Sequence, residues 1–127
     1  MIRVALCEDH LEMRLALRLL LKLFKDIELV CEASNGQEAV DCVKRLHPDV
    51  LVMDIRMPEL DGFAATRQIT ALSSPTRVIL ISGDIGKYVA QRAAAVGAQG
   101  FLPKDDVGKL LLSAIEAVHA GETFFVD

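Results

Sequence analysis

The sequence contains no long uninterrupted apolar run and no excess of basic residues. Its longest leucine-rich stretch, LRLLLKLFK, is broken by cations and cannot span a bilayer. The formal net charge of −4 gives no electrostatic reason to expect this segment to bind nucleic acid. The first residues, MIRVALCEDH, reach acidic side chains too early for a signal peptide. These absences argue against a membrane-spanning, secreted or nucleic-acid-binding segment.

Cysteines at the spacing of metal ligands are also missing. The three cysteines present, Cys7, Cys31 and Cys42, are odd in number and lie among apolar neighbours. This usage is typical of small core residues in a reduced compartment, so we expect a cytoplasmic protein. At 127 residues, just over half of them apolar, the chain is long enough to form one domain with its own core.

Short β-branched runs alternate with longer helical segments along the whole chain. The predicted strands are IRVALC, IELVCEA, DVLVMD, RVILIS and GFLPK. The predicted helices are HLEMRLALRLLLKLFK, GQEAVDCVKRL, FAATRQITAL, YVAQRAAAV and VGKLLLSAIEAVHA. The strands are continuous apolar runs, as expected for strands buried on both faces. The pattern therefore predicts an α/β fold with a doubly wound parallel sheet of five strands.

Polar residues follow four of these strands, at the edge where sites form in open α/β sheets. They are Glu8 and Asp9, Asp54, Ser82 and Asp84, and Lys104. Clustered carboxylates repel one another unless a cation lies among them, and oxygen ligands suit Mg²⁺. Lys104 adds a fixed positive charge and Ser82 a hydroxyl, so the edge fits an anion bridged to a metal. A phosphoryl group meets that description.

Asp54 is the best candidate for a nucleophile that forms an acyl phosphate, because its strand is central in the chain order. Glu8 and Asp9 would then hold the metal. Each residue alone also fits a simpler role: Asp9 a helix N-cap, Ser82 a turn residue and Lys104 a solvated cation. Their convergence on one edge, in suitable chemical types, favours a site.

These residues and their surroundings resemble the receiver domain of bacterial two-component response regulators. The resemblance covers nearly the whole chain and rests on CEDH, ASNGQEAVDCVKRLHPDVLVMDIRMPELDGFAATRQI, ISG and GAQGFLPKD. It implies a flavodoxin-like (βα)5 fold with strand order 2-1-3-4-5. It also implies that Asp54 takes a phosphoryl group from a sensor histidine kinase. Asp9, Asp54 and the backbone carbonyl of Arg56 would ligate Mg²⁺ or Mn²⁺, and Glu8 would hold a metal-bound water.

The resemblance also implies a conformational switch. Ser82 would move to the phosphoryl group, Lys104 would contact it, and Phe101 occupies the place of the aromatic that swings inward. Two features depart from the family pattern: Pro103 precedes Lys104 rather than following it, and Phe101 lacks the hydroxyl of a tyrosine. The first makes a cis peptide after Lys104 doubtful, since cis bonds before residues other than proline are costly.

Arg56 and Asp84 lie just beyond the acceptor and the hydroxyl residue, and they carry opposite charges. One hypothesis is that they pair across the edge and hinder the water that hydrolyses the acyl phosphate. The alternative is two solvated side chains without mutual contact.

The first and last helices carry more leucine than a single core face requires. In the first helix the predicted sheet-facing residues lie opposite a basic stripe of Arg14, Arg18, Lys22 and Lys25; they are Met13, Ala16, Leu20 and Leu23. Leu17 and Leu21 would then be surplus. The last helix contains Leu110, Leu111, Leu112 and Ile115. The surplus predicts a homodimer through these two helices, with a face from the fourth to the fifth helix as a second option; a broad core face is the alternative.

The C-terminal segment AVHAGETFFVD resembles the junction between a receiver and a LuxR-type helix-turn-helix domain. We therefore expect a receiver domain over residues 1–120 and the start of a linker or tail over 121–127, with two exposed phenylalanines. DNA would be contacted only through a C-terminal domain absent from this chain, and transcription would be the output. No membrane partner is expected.

Other functions are compatible with parts of the pattern. A stand-alone or degenerate receiver would serve as a protein-interaction module without phosphorylation. A haloacid-dehalogenase-like enzyme would need an acid where Arg56 stands. A flavin or nucleotide binder would need a phosphate loop where Glu8, Asp9 and His10 stand. We therefore expect no enzyme beyond self-directed phosphoryl transfer and autodephosphorylation.

Overall fold

The computed structural model describes residues 1–84 and 86–126. Six parallel strands form one sheet in the order β2-β1-β3-β4-β5-β6, with helices on both faces. The strands are β1 (Ile2–Cys7), β2 (Ile27–Ala33), β3 (Val50–Asp54), β4 (Arg77–Ser82), β5 (Gly100–Pro103) and β6 (Phe124–Phe125). The helices are α1 (Leu11–Lys22), α2 (Gly36–Leu46), α3 (Gly62–Thr70), α4 (Lys87–Ala95) and α5 (Val107–His119). The predicted doubly wound sheet and its order are confirmed.

Two cores hold the layers together, one on each face of the sheet. Side chains of α2, α3 and α4 pack on one face, and those of α1 and α5 pack on the other. β3 is buried at every residue, which explains why its sequence is a continuous apolar run. Cys7 and Cys42 are buried and Cys31 is half-buried, all with free thiols, as core residues would be. No helix in the described parts of the chain is long and apolar enough to cross a membrane.

The prediction for the buried face of α1 is wrong. Leu17 and Leu21 are the core residues, 2% and 0% exposed, whereas Leu19 and Leu23 are 67% and 77% exposed. Ala16 is exposed as well, and Met13 and Leu20 are only partly buried. The basic residues do not lie opposite the core, because Arg14 and Arg18 fold back along the helix flank toward β1 and β2. The Arg14 guanidinium donates to the carbonyl of Glu8, and that of Arg18 to the carboxylate of Glu32.

The last helix does not share this surplus. Leu111 and Ile115 of α5 are fully buried, and Leu110 and Leu112 pack against the same core. Its leucines therefore serve the fold, and the exposed apolar surface is confined to the first of the two helices.

The C-terminal phenylalanines are half-buried rather than exposed. Phe124 and Phe125 form β6, which extends the sheet beyond β5. The Phe124 amide donates to the carbonyl of Gln99, and the Val126 amide donates to that of Phe101. The tail thus belongs to the fold, while the division of the chain near residue 120 stays a prediction.

Candidate active site

The carboxyl ends of β1, β3 and β5 bring the predicted acids and the lysine together. Glu8 follows β1, Asp54 ends β3 and Lys104 follows β5, and neighbouring strands are paired in register up to these residues. Glu8 and Asp54 are 0% and 1% exposed, so both carboxylates are withdrawn from solvent. A buried acid needs a counter-charge or a hydrogen bond, because an unpaired charge in the interior is costly.

Lys104 supplies that counter-charge. Its Nζ lies 3.1 Å from Asp54 Oδ2 and 3.1 Å from Glu8 Oε1. Burial alone would lower the pKa of Lys104, but the hydrogen bonds and charges of Asp54 and Glu8 outweigh it and raise the pKa above its usual value. Burial raises the pKa of Glu8, and the charge of Asp54 acts in the same direction. Lys104 therefore stays charged, and its single ammonium group is shared between the carboxylates of Glu8 and Asp54.

The carboxylate oxygens that remain fit a divalent cation. Glu8 Oε1 and Asp9 Oδ1 are buried and have no well-aligned hydrogen-bond donor among the described residues; their close neighbours are Lys104 Nζ, 3.1 Å from the former, and His10 Nδ1, 3.3 Å from the latter. Ligand atoms of Glu8, Asp9, His10 and Asp54 all lie within 4.8 Å of one another. Orphaned oxygens of this kind suit Mg²⁺, which prefers carboxylates and water. The residue types in this cluster are therefore chemically suitable ligands for Mg²⁺.

His10 belongs to this cluster although the sequence reasoning did not select it. Its backbone amide donates to Glu8 Oε2 over 3.1 Å, and its ring Nδ1 lies 3.3 Å from Asp9 Oδ1. His10, rather than Asp9, is the N-cap residue of α1, and no side chain caps that end. The simpler role considered for Asp9 is therefore not realised. The sequence signal that could have identified His10 is its position directly after the acidic pair Glu8 and Asp9.

Ser82 and Phe101 lie on the neighbouring strands. Ser82 is 1% exposed, and its Oγ accepts a hydrogen bond of 2.9 Å from the amide of Asp84. Phe101 is fully buried and lies opposite Leu80 in the β4–β5 register, which places the ring inward. No cis peptide occurs in the two described ranges, so the bond between Lys104 and Asp105 is trans.

Arg56 and Asp84 form an ion pair at the rim. The Arg56 Nε donates to Asp84 Oδ2 over 2.7 Å, and a terminal guanidinium nitrogen contacts the same oxygen. Both side chains are more than half exposed, which limits the energy of the pair. Of the two alternatives open at the sequence level, the structure has the paired one.

The turn after Asp54 is held by backbone contacts. The amide of Arg56 points toward Asp54 Oδ1 at 3.4 Å, and the amide of Gly62 donates to the carbonyl of Ile55 over 2.8 Å. A Cβ at Gly62 would lie 2.6 Å from the carbonyl oxygen of Asp54, so only glycine lets α3 start this close to β3. The Asp61 carboxylate caps α3 by accepting from the Ala64 amide.

Comparison with known proteins agrees with this geometry. A family model described as "Response regulator receiver domain" matches residues 4–116. The chain is 36% identical to the transcriptional regulatory protein LiaR of Bacillus subtilis, over 96% of this chain and 58% of that protein. It is 37% identical to a protein-glutamate methylesterase/protein-glutamine glutaminase of Methanosarcina mazei, over 94% of this chain and 36% of that protein.

A solved structure shares the whole architecture. The crystal structure of a LuxR-family two-component response regulator from Aurantimonas sp. SI85-9A1 superimposes with a TM-score of 0.91 at 31% identity. The match covers 96% of this chain and 87% of that one. The present chain spans little more than half of LiaR and about a third of the methylesterase, so it corresponds to one portion of each.

Proposed function

This chain belongs to the response regulator receiver domain family, and from that premise we propose that Asp54 is its phosphoacceptor. The observation that carries the proposal is the position of Asp54. It is a buried carboxylate at the end of the central strand β3, hydrogen-bonded to Lys104 and beside the buried acid Glu8. A purely structural acid would not require a second buried carboxylate next to it, because like charges raise each other's cost.

The proposed reaction moves a phosphoryl group from a phosphohistidine of a sensor kinase to Asp54. An Asp54 carboxylate oxygen bonds to phosphorus while the P–N bond breaks, and the imidazole nitrogen leaves with the electron pair and takes up a proton. Lys104, already 3.1 Å from Asp54, provides fixed positive charge to the incoming oxygens. Asp9, Asp54 and the backbone carbonyl of Arg56 would hold Mg²⁺, with Glu8 acting through a water, and the ion would supply the remaining charge neutralisation.

The conformational output is proposed to start at Ser82. To reach a phosphoryl group its hydroxyl must give up the hydrogen bond from the Asp84 amide. Phe101, the aromatic that would swing inward, lies on the adjacent strand, where Leu80 is paired with Phe101 and Ser82 with Pro103. α4 is suited to respond, because its buried residues are only two alanines, Ala90 and Ala93, which anchor it weakly. The repacking of α4, β5 and α5 would carry the signal.

The relatives suggest what the output controls. LiaR is a transcriptional regulatory protein, and this chain covers its receiver-sized portion. We assign transcription as the output, exerted through a DNA-binding domain outside these residues. The methylesterase relative extends far beyond the shared portion, so its catalytic activity is not carried over. The chemistry of this chain itself is phosphoryl uptake and its own dephosphorylation.

The acceptor is tested by intact-mass measurement after incubation with acetyl phosphate and MgCl₂. We expect a gain of one phosphoryl group that disappears in Asp54→Asn and in the presence of a chelator. Asp105→Asn changes an exposed acid close to Lys104 and serves as the matched control, which should retain the gain. A gain that persists in Asp54→Asn contradicts the assignment. No gain from this donor or from a sensor histidine kinase favours the alternative, a degenerate receiver acting as an interaction module.

A homodimer is proposed through the leucine ridge of α1, defined as Leu11, Leu15, Leu19 and Leu23. These residues recur every four positions on the outer face of the helix and are all exposed. This revises the surface predicted from the sequence, because Leu17, Leu21 and the leucines of α5 are used by the core. A face from α4 to α5 remains the second option.

Sedimentation velocity over a series of protein concentrations tests the ridge. We expect Leu15→Lys/Leu19→Lys to shift the chain toward monomer without loss of fold, and Glu12→Gln on the same helix to leave the mass unchanged. Self-association that survives the double change would assign the dimer to the α4–α5 face. A chain that is monomeric throughout leaves the ridge for a different protein partner.

A further inference from the structure

A cavity of about 300 Å³ lies beside the acceptor pocket, where the start of α3 faces α4. Its walls are formed by Ile55, Arg56, Asp61, Phe63, Ser82, Asp84, Tyr88, Val89 and Arg92. The half of the cavity formed by Phe63, Tyr88, Val89 and Arg92 contains none of the residues assigned to the metal or the phosphoryl group. Its volume is at the low end for small-molecule sites, which suits a single ring with one substituent.

The cavity wall carries two arginines and two aspartates, and three of these four charged side chains are already engaged. Arg56 is paired with Asp84, and the Asp61 carboxylate is engaged as the cap of α3. Arg92 is the remaining charged group. Its guanidinium lies 4.3 Å from the centre of the Phe63 ring, and its side chain makes no hydrogen bond or ion pair within residues 1–84 and 86–126.

Stacking on Phe63 prepares Arg92 to bind an anion. A guanidinium over an aromatic face is held in one plane, so less side-chain entropy is lost when a ligand binds. Its fork of N–H donors matches a carboxylate, which can accept two parallel hydrogen bonds. A lysine at this position would carry the positive charge, but it would lack the planar group that stacks on the ring and the paired N–H donors that match a carboxylate.

Apolar and aromatic surface lies next to this cation. Ile55, Phe63 and Val89 provide apolar wall, and Tyr88 at the rim is 74% exposed. The ring of an exposed tyrosine can cover one face of a flat ligand while its hydroxyl stays in water. The cavity therefore combines one oriented cation with surface suited to a ring.

We propose that this cavity binds a small monocarboxylate with a ring or a compact apolar body. The carboxylate pairs with Arg92, and the ring packs against Val89 and Tyr88. The site borders Ser82 and the Arg56–Asp84 pair, so an occupant shares a wall with the residues that flank the acceptor. The binding itself depends only on the cavity and not on phosphorylation.

Benzoate is the probe for the test, because it is one ring bearing one carboxylate. Titration is followed by the ¹H–¹⁵N amide shifts of the ¹⁵N-labelled chain. We expect saturable shifts centred on the amides of Phe63, Val89 and Arg92, with weak affinity for so small a ligand. Benzamide, which has the same shape without the charge, should bind at least about tenfold more weakly, as expected for loss of a bidentate charged pair.

Variants separate the proposed site from general attraction to cations. Arg92→Ala should weaken benzoate binding by about tenfold or more, and Arg92→Lys should recover only part of the loss. Arg67→Ala removes an exposed arginine of α3 and is the matched control, which should bind like the parent chain. Asp54→Asn should also bind like the parent, so the result stands whether or not Asp54 is the phosphoacceptor. Because Arg92 is exposed, its variants are expected to keep the parent melting temperature.

The site would be overturned by shifts that do not saturate, by equal binding of benzamide and benzoate, or by unchanged affinity in Arg92→Ala. Shifts centred on Asp9 and Lys104 would place the carboxylate in the acceptor pocket and would also overturn it.

Discussion

At the scale of single residues, the Arg56–Asp84 pair joins the segments that follow β3 and β4. The two side chains lie in the same cavity wall as Ser82, and both remain largely in solvent. An exposed pair of this kind adds little to stability, so its effect is expected to be steric. We infer that side chains tied together near Asp54 would reduce the directions from which water can approach a phosphoryl group bound there.

Breaking the pair should therefore shorten the life of the acyl phosphate. We expect Arg56→Asn and Asp84→Asn each to speed its loss by about three- to tenfold, equivalent to about 1 kcal/mol in the barrier. The measurement is the decay of the intact-mass signal after removal of the donor. If the pair acts as a unit, the double variant decays no faster than the faster single variant. Glu59→Gln, an exposed acid in the same loop, is the control, and unchanged rates in both single variants would contradict the role.

At the scale of elements, α1 has two apolar faces with different roles. Leu17 and Leu21 enter the core between α1, α5 and the sheet, while Leu11, Leu15, Leu19 and Leu23 face outward. Truncating a buried leucine costs transfer energy and leaves a cavity, but truncating an exposed one removes few contacts.

Two leucine-to-alanine changes only two positions apart should consequently have very different effects on the free energy of unfolding. We expect Leu21→Ala to lower the free energy of unfolding by about 3 kcal/mol. Leu19→Ala should change the free energy of unfolding by no more than about 0.5 kcal/mol relative to the parent chain, since alanine is also the better helix former. Urea denaturation monitored by circular dichroism measures both. A similar loss in the two variants would contradict the assignment of the faces.

At the scale of the whole molecule, the acidic pocket connects ion binding to global stability. Glu8 is fully buried, and its pKa is raised above its ordinary value, so the folded state holds the proton more tightly than the unfolded state. The stabilising contribution of that proton is present below the unfolded pKa and is lost as pH rises through the folded pKa. At neutral pH the ionised carboxylate therefore costs stability unless a cation compensates it.

Adding Mg²⁺ should stabilise the parent chain more than the chain without the Glu8 charge. Because an ion that binds only the folded state adds RT ln(1 + [L]/Kd), saturating MgCl₂ should raise the free energy of unfolding by about 1–3 kcal/mol. In the presence of a chelator, the free energy of unfolding of Glu8→Gln should be about 1 kcal/mol higher than that of the parent chain, since a buried charge is removed. Its gain from Mg²⁺ should be smaller. Urea titrations with MgCl₂ or chelator measure these values, and a parent chain indifferent to Mg²⁺ would contradict the metal assignment.

Much of the architecture follows from local sequence. The runs in β3 and β4 are apolar without alternation because both faces are covered, so a parallel sheet was predictable before any contact was known. The positions of Glu8, Asp9, Asp54, Ser82 and Lys104 at strand ends then followed from the rule that parallel strands share one carboxyl edge. Chemical type and strand position sufficed to gather these residues.

The features that were missed depend on contacts between elements distant in the chain. Helical spacing shows that α1 has apolar stripes, but the orientation of the helix on the sheet decides which stripe is buried. That orientation is seen in the contacts of Arg14 and Arg18 with Glu8 and Glu32. The placement of Phe124 beside Gly100 is likewise a long-range pairing. Spacing along one helix carries no information about the elements that pack against it. Local sequence therefore determined the fold class and the gathering of the acids at one edge, which depend on strand pattern and strand ends. The tertiary structure alone decided the faces, the sixth strand and the cavity behind Arg92.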